Sequence, residues 1–159
     1  MPSVLDEFDA FASEAPEHAL RVFVTLGTIR PYRFDALVEG VLSSGVATDS
    51  TVWQLGVTSR AGLPGKVFEQ MSSAAFDEAV AEADVVVTHA GVGSILALLN
   101  AGKFPIVVAR RRARGEHVDD HQLQAAALIE RTGVGVVAEP HEVTPGLVEH
   151  AARMRVLAR

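Results

Sequence analysis

The stretch ADVVVTHAGVGS (83–94) decides the fold of this chain. Its valine-rich run over 84–89 predicts a buried strand, and the apolar pattern over 93–102 predicts a helix directly after it. Gly91 and Gly93 stand between the two, and glycines at a strand–helix turn leave backbone N–H groups open to an anion. The stretch therefore predicts an α/β fold and a binding site at one turn.

The same alternation runs along most of the chain and predicts a parallel sheet covered by helices on both faces. The segment 66–71 is interpreted as a short strand or an extended stretch. Strands are predicted over 21–27, 51–56, 66–71, 84–89, 104–110 and 134–139, and helices over 34–45, 74–83, 93–102, 117–133 and 143–157.

Composition excludes several classes of protein. The 159 residues suffice for one domain and include no cysteine, which excludes disulfides and cysteine-based metal sites. No apolar run is long enough to cross a bilayer and the acidic N-terminus does not resemble a signal peptide, so we expect a soluble, cytoplasmic protein. Basic residues cluster only over 110–114, which disfavours a nucleic-acid partner.

The segment 1–20 differs from the rest of the chain. It carries five acidic residues and no lysine or arginine. Apolar residues would share one helical face, which predicts an amphipathic segment that packs on the domain formed by 21–159 or docks on a partner. These residues are Val4, Leu5, Phe8, Phe11 and Ala12.

Ligands of open α/β sheets bind beyond the carboxyl ends of the strands. In this sequence the turns 27–33 and 89–93 combine glycines with hydroxyl and imidazole groups, which suit a phosphate, although plain tight turns would also explain them. Ser94 could cap the following helix and donate to phosphate. The residues predicted to bind substrate here are Gly27, Thr28, His89, Ala90, Gly91, Gly93 and Ser94.

The third such stretch, RRRARGEHVDDHQLQ (110–124), is the most specific. Its carboxylates and amides suit vicinal sugar hydroxyls, and its arginines suit a phosphate, a carboxylate, anionic lipid or only solvent. His117 and His121 would share a helical face, but Val118 stands where the zinc-protease motif has glutamate, so no metal site is predicted. The candidate substrate ligands are Arg110, Glu116, His117, Asp119, Asp120 and Gln122.

Four stretches together resemble the C-terminal, nucleotide-sugar-binding half of family 28 glycosyltransferases, including the small catalytic subunits of two-chain enzymes. They are VTLGT (24–28), ADVVVTHAGVGS (83–94), NAGKFPIVV (100–108) and GEHVDDHQ (115–122). The resemblance implies half of a GT-B fold, a Rossmann-like three-layer parallel sheet with a UDP-sugar at its carboxyl edge.

The resemblance also implies roles for individual residues. Gly27 and Thr28 would lie near the diphosphate or the cleft between the two domains of such enzymes. Asp120 and Gln122 would contact the donor sugar, with Glu116, His117 and Asp119 as further contributors. The phosphate loop would consist of His89, Gly91, Gly93 and Ser94. One position departs from the family, because Ala97 stands where a glutamate commonly binds the ribose. Either another group such as Glu116 takes that contact, or donor affinity is weak, or the donor preference differs.

The function implied is inverting sugar transfer from a UDP-sugar, similar to UDP-N-acetylglucosamine or UDP-glucuronate, to a lipid-linked or glycan acceptor. No cofactor or metal is expected. A membrane-associated acceptor subunit would hold the chain at the inner face of the membrane and supply the catalytic base. The candidates for a base within this chain are Asp120 and His117, either of which could instead be a donor ligand. The alternative functions are a non-catalytic nucleotide-sugar-binding module and an epimerase fragment. A second copy of the chain, in a homo-oligomer, is a further candidate partner.

Overall fold

The structure is a computed structural model that describes residues 3–159. The strands are β1 (Phe8–Ala12), β2 (Val22–Thr25), β3 (Val52–Gln54), β4 (Lys66–Phe68), β5 (Val85–His89), β6 (Ile106–Val108), β7 (Val136–Val137) and β8 (Met154–Ala158). The helices are α1 (Asp35–Ser43), α2 (Ser73–Glu82), α3 (Val92–Asn100), α4 (His121–Thr132) and α5 (Pro145–Ala152).

Six strands form one parallel sheet in the order β4-β3-β2-β5-β6-β7. The direction of winding reverses between β2 and β5, which pair directly with Val24 opposite Val87. This is the strand order of dinucleotide-binding folds, in which the reversal opens a crevice for ligands. The predicted α/β class, with a Rossmann-like parallel sheet, is confirmed.

The sheet is buried on both faces, which explains why its central strands are rich in valine. Every residue of β2 and β5 is buried. Phe23 and Val86 point to the side covered by α2, where they pack with Val80. Val24 and Val87 point to the opposite side and join the larger core cluster. The carboxyl end of β5 is thereby held rigidly between two layers.

The helical prediction for the N-terminal segment is wrong. Residues Val4–Glu7 form a short 3₁₀ helix, and β1 then pairs antiparallel with β8, with Ala10 opposite Val156. Leu5 and Phe8 are buried in the main core, so the segment packs on the domain. Residues 1 and 2 of the predicted segment lie outside the described residues.

Other predicted boundaries also differ from the structure. The helix predicted over 143–157 ends at Ala152, because the residues after it pair with β1 as β8. The helix predicted over 117–133 begins only at His121. The strand predicted over 134–139 is limited to Val136–Val137, whereas the short strand in 66–71 is present as β4.

Within residues 3–159, no helix is both long enough and apolar enough to cross a membrane.

Candidate functional site

An open cleft of about 460 Å³ lies at the carboxyl ends of β2, β3 and β5, where the strand order reverses. It combines residues of the predicted phosphate turns with three that the sequence interpretation missed. Gln54, Ile29 and Phe76 are these additions, and the only local signal for Gln54 was a polar residue ending a buried strand. The walls consist of Gly27, Thr28, Ile29, Gln54, Phe76, His89, Gly91, Gly93 and Ser94.

The first turn of α3 meets this cleft with unused donors. Within residues 3–159, the N–H groups of Gly91, Val92, Gly93 and Ser94 have no hydrogen-bond acceptor, whereas the N–H of Ala90 donates to Gln122 Oε1. Free N–H groups and the helix dipole favour an anion at such a terminus. The predicted cap by Ser94 is wrong, because Gly91 is the N-cap residue and Ser94 lies within the helix.

The glycines around His89 have two different roles. A Cβ at Gly27, where φ is +70°, would lie 2.4 Å from His89 Nε2, and one at Gly91 would lie 2.7 Å from His89 Cε1. These glycines therefore make room for the histidine ring. A Cβ at Gly93 would meet nothing within 4 Å, so Gly93 is the glycine that leaves open space in front of the helix.

His89 ends β5, and its ring is held by the side chains of Gln122, on α4, and Arg110, after β6. Its Nδ1 lies 3.0 Å from Gln122 Nε2 and 3.5 Å from Arg110 Nε, while its Nε2 lies 3.5 Å from Ser94 Oγ at the cleft. Burial and the nearby Arg110 guanidinium lower the pKa of His89 from 6.5 to about 3. The ring is therefore neutral at physiological pH.

Gln122 lies inside the protein, on the first turn of α4. Its Oε1 accepts from the backbone N–H groups of Ala90, at 3.2 Å, and Arg110, at 2.9 Å. Its amide thus joins the ends of β5 and β6, and it does not line the cleft. The side chain predicted to contact a donor sugar is thus only 6 % exposed and makes its hydrogen bonds within the protein.

Arg110 is also internal, contrary to the prediction that it binds substrate. Only 1 % of it is exposed, and its guanidinium lies 4.9 Å from the centroid of the Phe34 ring. It donates to three backbone carbonyl groups, which are those of Leu26 and Tyr32 in the loop after β2 and that of Glu116 in the loop after β6. Burial lowers its pKa to about 10, so it remains a cation. Arg110 joins the loop after β2 to the loop after β6.

The other arginines do not form one anion site. Arg111 and Arg114 both pair with Glu139 beyond β7. Arg112 is exposed, and its backbone N–H donates to Asp120 Oδ1 at 2.9 Å. The cluster seen in the sequence is therefore divided between an internal brace and surface ion pairs.

The acidic and histidine residues before α4 contact one another. Asp119 lies 3.1 Å from His117 Nδ1 and 3.0 Å from His121 Nδ1, and the N–H of His121 donates to its carboxylate, which lowers the pKa of Asp119. His117 also stacks on Tyr32, a residue that the sequence interpretation missed. The expected shared helical face of His117 and His121 is wrong, because α4 starts at His121. No group of three potential metal ligands occurs within residues 3–159.

Glu116, considered as a substitute ribose ligand, makes its side-chain hydrogen bond within the protein. It is only 4 % exposed, and its Oε1 accepts from the N–H of Arg111 at 3.0 Å. Burial raises its pKa. Like His117, Asp119 and Asp120, it is not among the residues that line the cleft.

Replacing Arg110 by methionine is expected to lower the free energy of unfolding by about 2–4 kcal/mol, because three buried carbonyl groups lose their donor. Urea denaturation measures the loss. Arg112→Met is the matched control, since Arg112 is exposed, and it should change stability little. An Arg110→Met protein as stable as the wild type would contradict the bracing role.

The neutral state of His89 predicts acid sensitivity. Because its pKa is lower in the folded protein than the ordinary 6.5, the unfolded chain binds the extra proton, and stability falls as the pH drops below 6.5 towards 3. We expect His89 to account for a loss of roughly 2–3 kcal/mol between pH 6.5 and 4.5. Urea denaturation of His89→Gln at both pH values should show a smaller loss than wild type, whereas exposed His141→Gln should not.

Comparison with known proteins places this chain among glycosyltransferases. Residues 52–154 match the model of the glycosyltransferase family 28 C-terminal domain. The chain is 33% identical over 121 residues to the UDP-N-acetylglucosamine transferase subunit ALG13 of Yarrowia lipolytica, a match that covers 66% of this chain and 58% of that protein. It thus spans little more than half of that relative.

Two solved structures share the fold. The glycosyltransferase SnogD from Streptomyces nogalater superposes with a TM-score of 0.62 at 21% identity, over 96% of this chain and 39% of its own. The glycotransferase of kitacinnamycin superposes with a TM-score of 0.52 at 22% identity, over 89% of this chain and 36% of its own. With a fold shared by glycosyltransferases and a family model that matches well over half of its length, the chain belongs to the glycosyltransferase family 28 C-terminal domain family.

Proposed function

We propose that this chain is the donor-binding and catalytic subunit of an inverting glycosyltransferase that uses a UDP-sugar. The observation that carries the proposal is the set of N–H groups over 91–94 that have no acceptor in the part of the chain that the structure describes. They lie at the cleft where the strand order reverses. Family membership supports it, because the family's model covers this turn. A donor similar to UDP-N-acetylglucosamine or UDP-glucuronate and a lipid-linked or glycan acceptor are the substrates proposed.

The chemistry proposed is electrostatic stabilisation of the departing UDP. Sugar transfer breaks the bond between the anomeric carbon and the β-phosphate oxygen, and the diphosphate gains negative charge in the transition state. Donors that are fixed before the reaction stabilise that charge without reorganising. In this chain they would be the α3 amides, the hydroxyl groups of Ser94 and Thr28 and the neutral His89 ring. The proposal needs no resident metal or cofactor.

The base that deprotonates the acceptor hydroxyl is proposed to come from a partner subunit. Asp120 and His117, the weak candidates in this chain, do not line the cleft, and His117 is already bound to Asp119. The similarity to a protein named as a transferase subunit supports this proposal, and so does the coverage of only 39% of the solved glycosyltransferase chain. A membrane-associated acceptor subunit would place the chain at the cytoplasmic face.

A non-catalytic nucleotide-sugar-binding module is the second candidate. Ala97, in α3, cannot hydrogen-bond a ribose, and Glu116 is buried away from the cleft wall. A weakened or altered donor site would suit a regulatory role. Sugar transfer by the complex of this chain with its partner subunit, and its loss in the same complex carrying Gly93→Asp, would support catalysis over this alternative.

UDP should stabilise the chain against heat. At a hundred times its Kd, UDP should add about 2.7 kcal/mol to the free energy of unfolding. Gly93→Asp should lose this response, because its carboxylate would occupy the open space at the anion site. The measurement is a thermal-shift panel of UDP, UDP-N-acetylglucosamine, UDP-glucuronate, UDP-glucose and the dTDP and GDP sugars.

Gly146→Asp is the matched control for this panel. Gly146 is likewise the second residue of its helix, α5, and a Cβ there also meets nothing within 4 Å, but it does not line the cleft. It should respond to UDP like the wild type. A full shift in Gly93→Asp, or no shift in the wild type with any of these nucleotides, would count against the proposed site.

The partner requirement makes a separate prediction. The purified chain should bind the UDP-sugar but transfer it to a lipid-linked acceptor at least a hundredfold more slowly than the complex with its partner, because general-base catalysis contributes roughly 10²–10⁴-fold. Radiolabelled sugar transfer with and without the co-purified partner measures this. Full activity of the chain alone would show that it contains the base.

A further inference from the structure

We propose that Gln122 is a positioning residue that sets the tautomer of His89, keeping the proton on Nε2 so that the ring donates a hydrogen bond towards the oxygen atoms of the bound diphosphate. The role towards diphosphate rests on the proposed function, whereas the tautomer is a property of the protein without ligand.

The orientation of the Gln122 amide follows from its backbone partners. Two N–H groups, from Ala90 and Arg110, lie 3.2 and 2.9 Å from one end of the amide. Only the carbonyl oxygen can accept from them, so that end is Oε1 and the other end is the NH₂ group. The orientation is thus determined by the ends of β5 and β6 and does not depend on the histidine.

The orientation of the amide determines the state of the ring. The NH₂ group of Gln122 lies 3.0 Å from His89 Nδ1, and the guanidinium Nε–H of Arg110 lies 3.5 Å from the same atom. Both groups can only donate, so Nδ1 must be an unprotonated acceptor. A neutral imidazole then carries its proton on Nε2.

The protonated nitrogen is the one that reaches the cleft. Nε2 lies 3.5 Å from Ser94 Oγ, and His89 and Ser94 both line the cleft. Gly27 and Gly91 leave the ring its space, since a Cβ at either position would lie within 3 Å of it. The donors at Nδ1 fix the orientation of the ring, and the two glycines leave the space that this orientation needs. It offers a ligand an N–H donor without adding a positive charge.

The experiment is long-range ¹H–¹⁵N NMR of the histidine rings in the full chain at pH 8, with His89 assigned by its loss in His89→Asn. In the wild type we expect His89 to be protonated on Nε2 alone. Gln122→Glu should place a proton on Nδ1, because a carboxylate at 3.0 Å accepts where the amide donates. Gln124→Glu, an exposed position on the same helix, adds the same charge and should leave the wild-type tautomer.

UDP binding by calorimetry is the second readout. Gln122→Met removes the NH₂ donor without adding charge. It should lower the affinity for UDP about tenfold and change the affinity for uridine little, because the His89 hydrogen bond that it affects is made to phosphate oxygens. Gln124→Glu should stay within about twofold of the wild type, because its charge is solvated.

A wild-type His89 protonated on Nδ1 would overturn the proposal, and this measurement needs no variant to fold. A Gln122→Glu protein in which His89 keeps its proton on Nε2 alone would also overturn it. If the tautomers behave as expected but the wild type does not bind UDP, the proposed function fails while the assignment of Gln122 as the residue that sets the tautomer stands.

Discussion

The candidate site depends on one buried cation. Arg110 carries its charge from beyond the end of β6 into the space between two loops, where its guanidinium donates to the carbonyl groups of Leu26, Tyr32 and Glu116. It forms no ion pair with a carboxylate of residues 3–159. An isolated charge is costly to bury, and carbonyl dipoles offset that cost only when they are held in place. The loops after β2 and β6 are therefore fixed relative to each other, and the cleft between β2 and β5 has a defined shape before any ligand enters.

The brace continues through Gln122 and His89 to the cleft wall. Arg110 Nε and the Gln122 amide both face His89 Nδ1, so polar groups from the segment after β6 and from α4 determine which nitrogen of a β5 residue carries a proton. The wall itself then presents neutral donors: free amides of α3, the Ser94 hydroxyl and the imidazole N–H. Such a surface suits an anion whose charge grows during reaction, because its donors need not reorganise. The chemistry that the cleft offers is thus binding and charge stabilisation more than proton transfer.

Much of the architecture was predictable because its causes are local. Valine runs bounded by glycine predicted β2, β3 and β5 and helical spacing predicted α1 to α3, each to within a few residues. The cleft was predictable in position because parallel strands end at one edge of a sheet. The prediction for the N-terminal segment was wrong because the cause is not local: β1 is stabilised by pairing with β8, almost 150 residues away. An apolar pattern of five residues fits a helix face as well as a paired strand.

The amino-acid sequence by itself determined the order of strands and helices, the family resemblance and the turn whose amides face the cleft, because hydrophobic period, glycine placement and motif spacing are properties of neighbouring residues. Only the tertiary structure decided which polar residues of 110–122 can reach a ligand. Arg110 and Gln122 look like substrate ligands in a string of polar letters, yet the nearest acceptors and donors for their side chains lie on other strands and loops, and the polar groups turn inward to satisfy them. That choice depends on three-dimensional partners up to 84 residues away, which no local pattern contains.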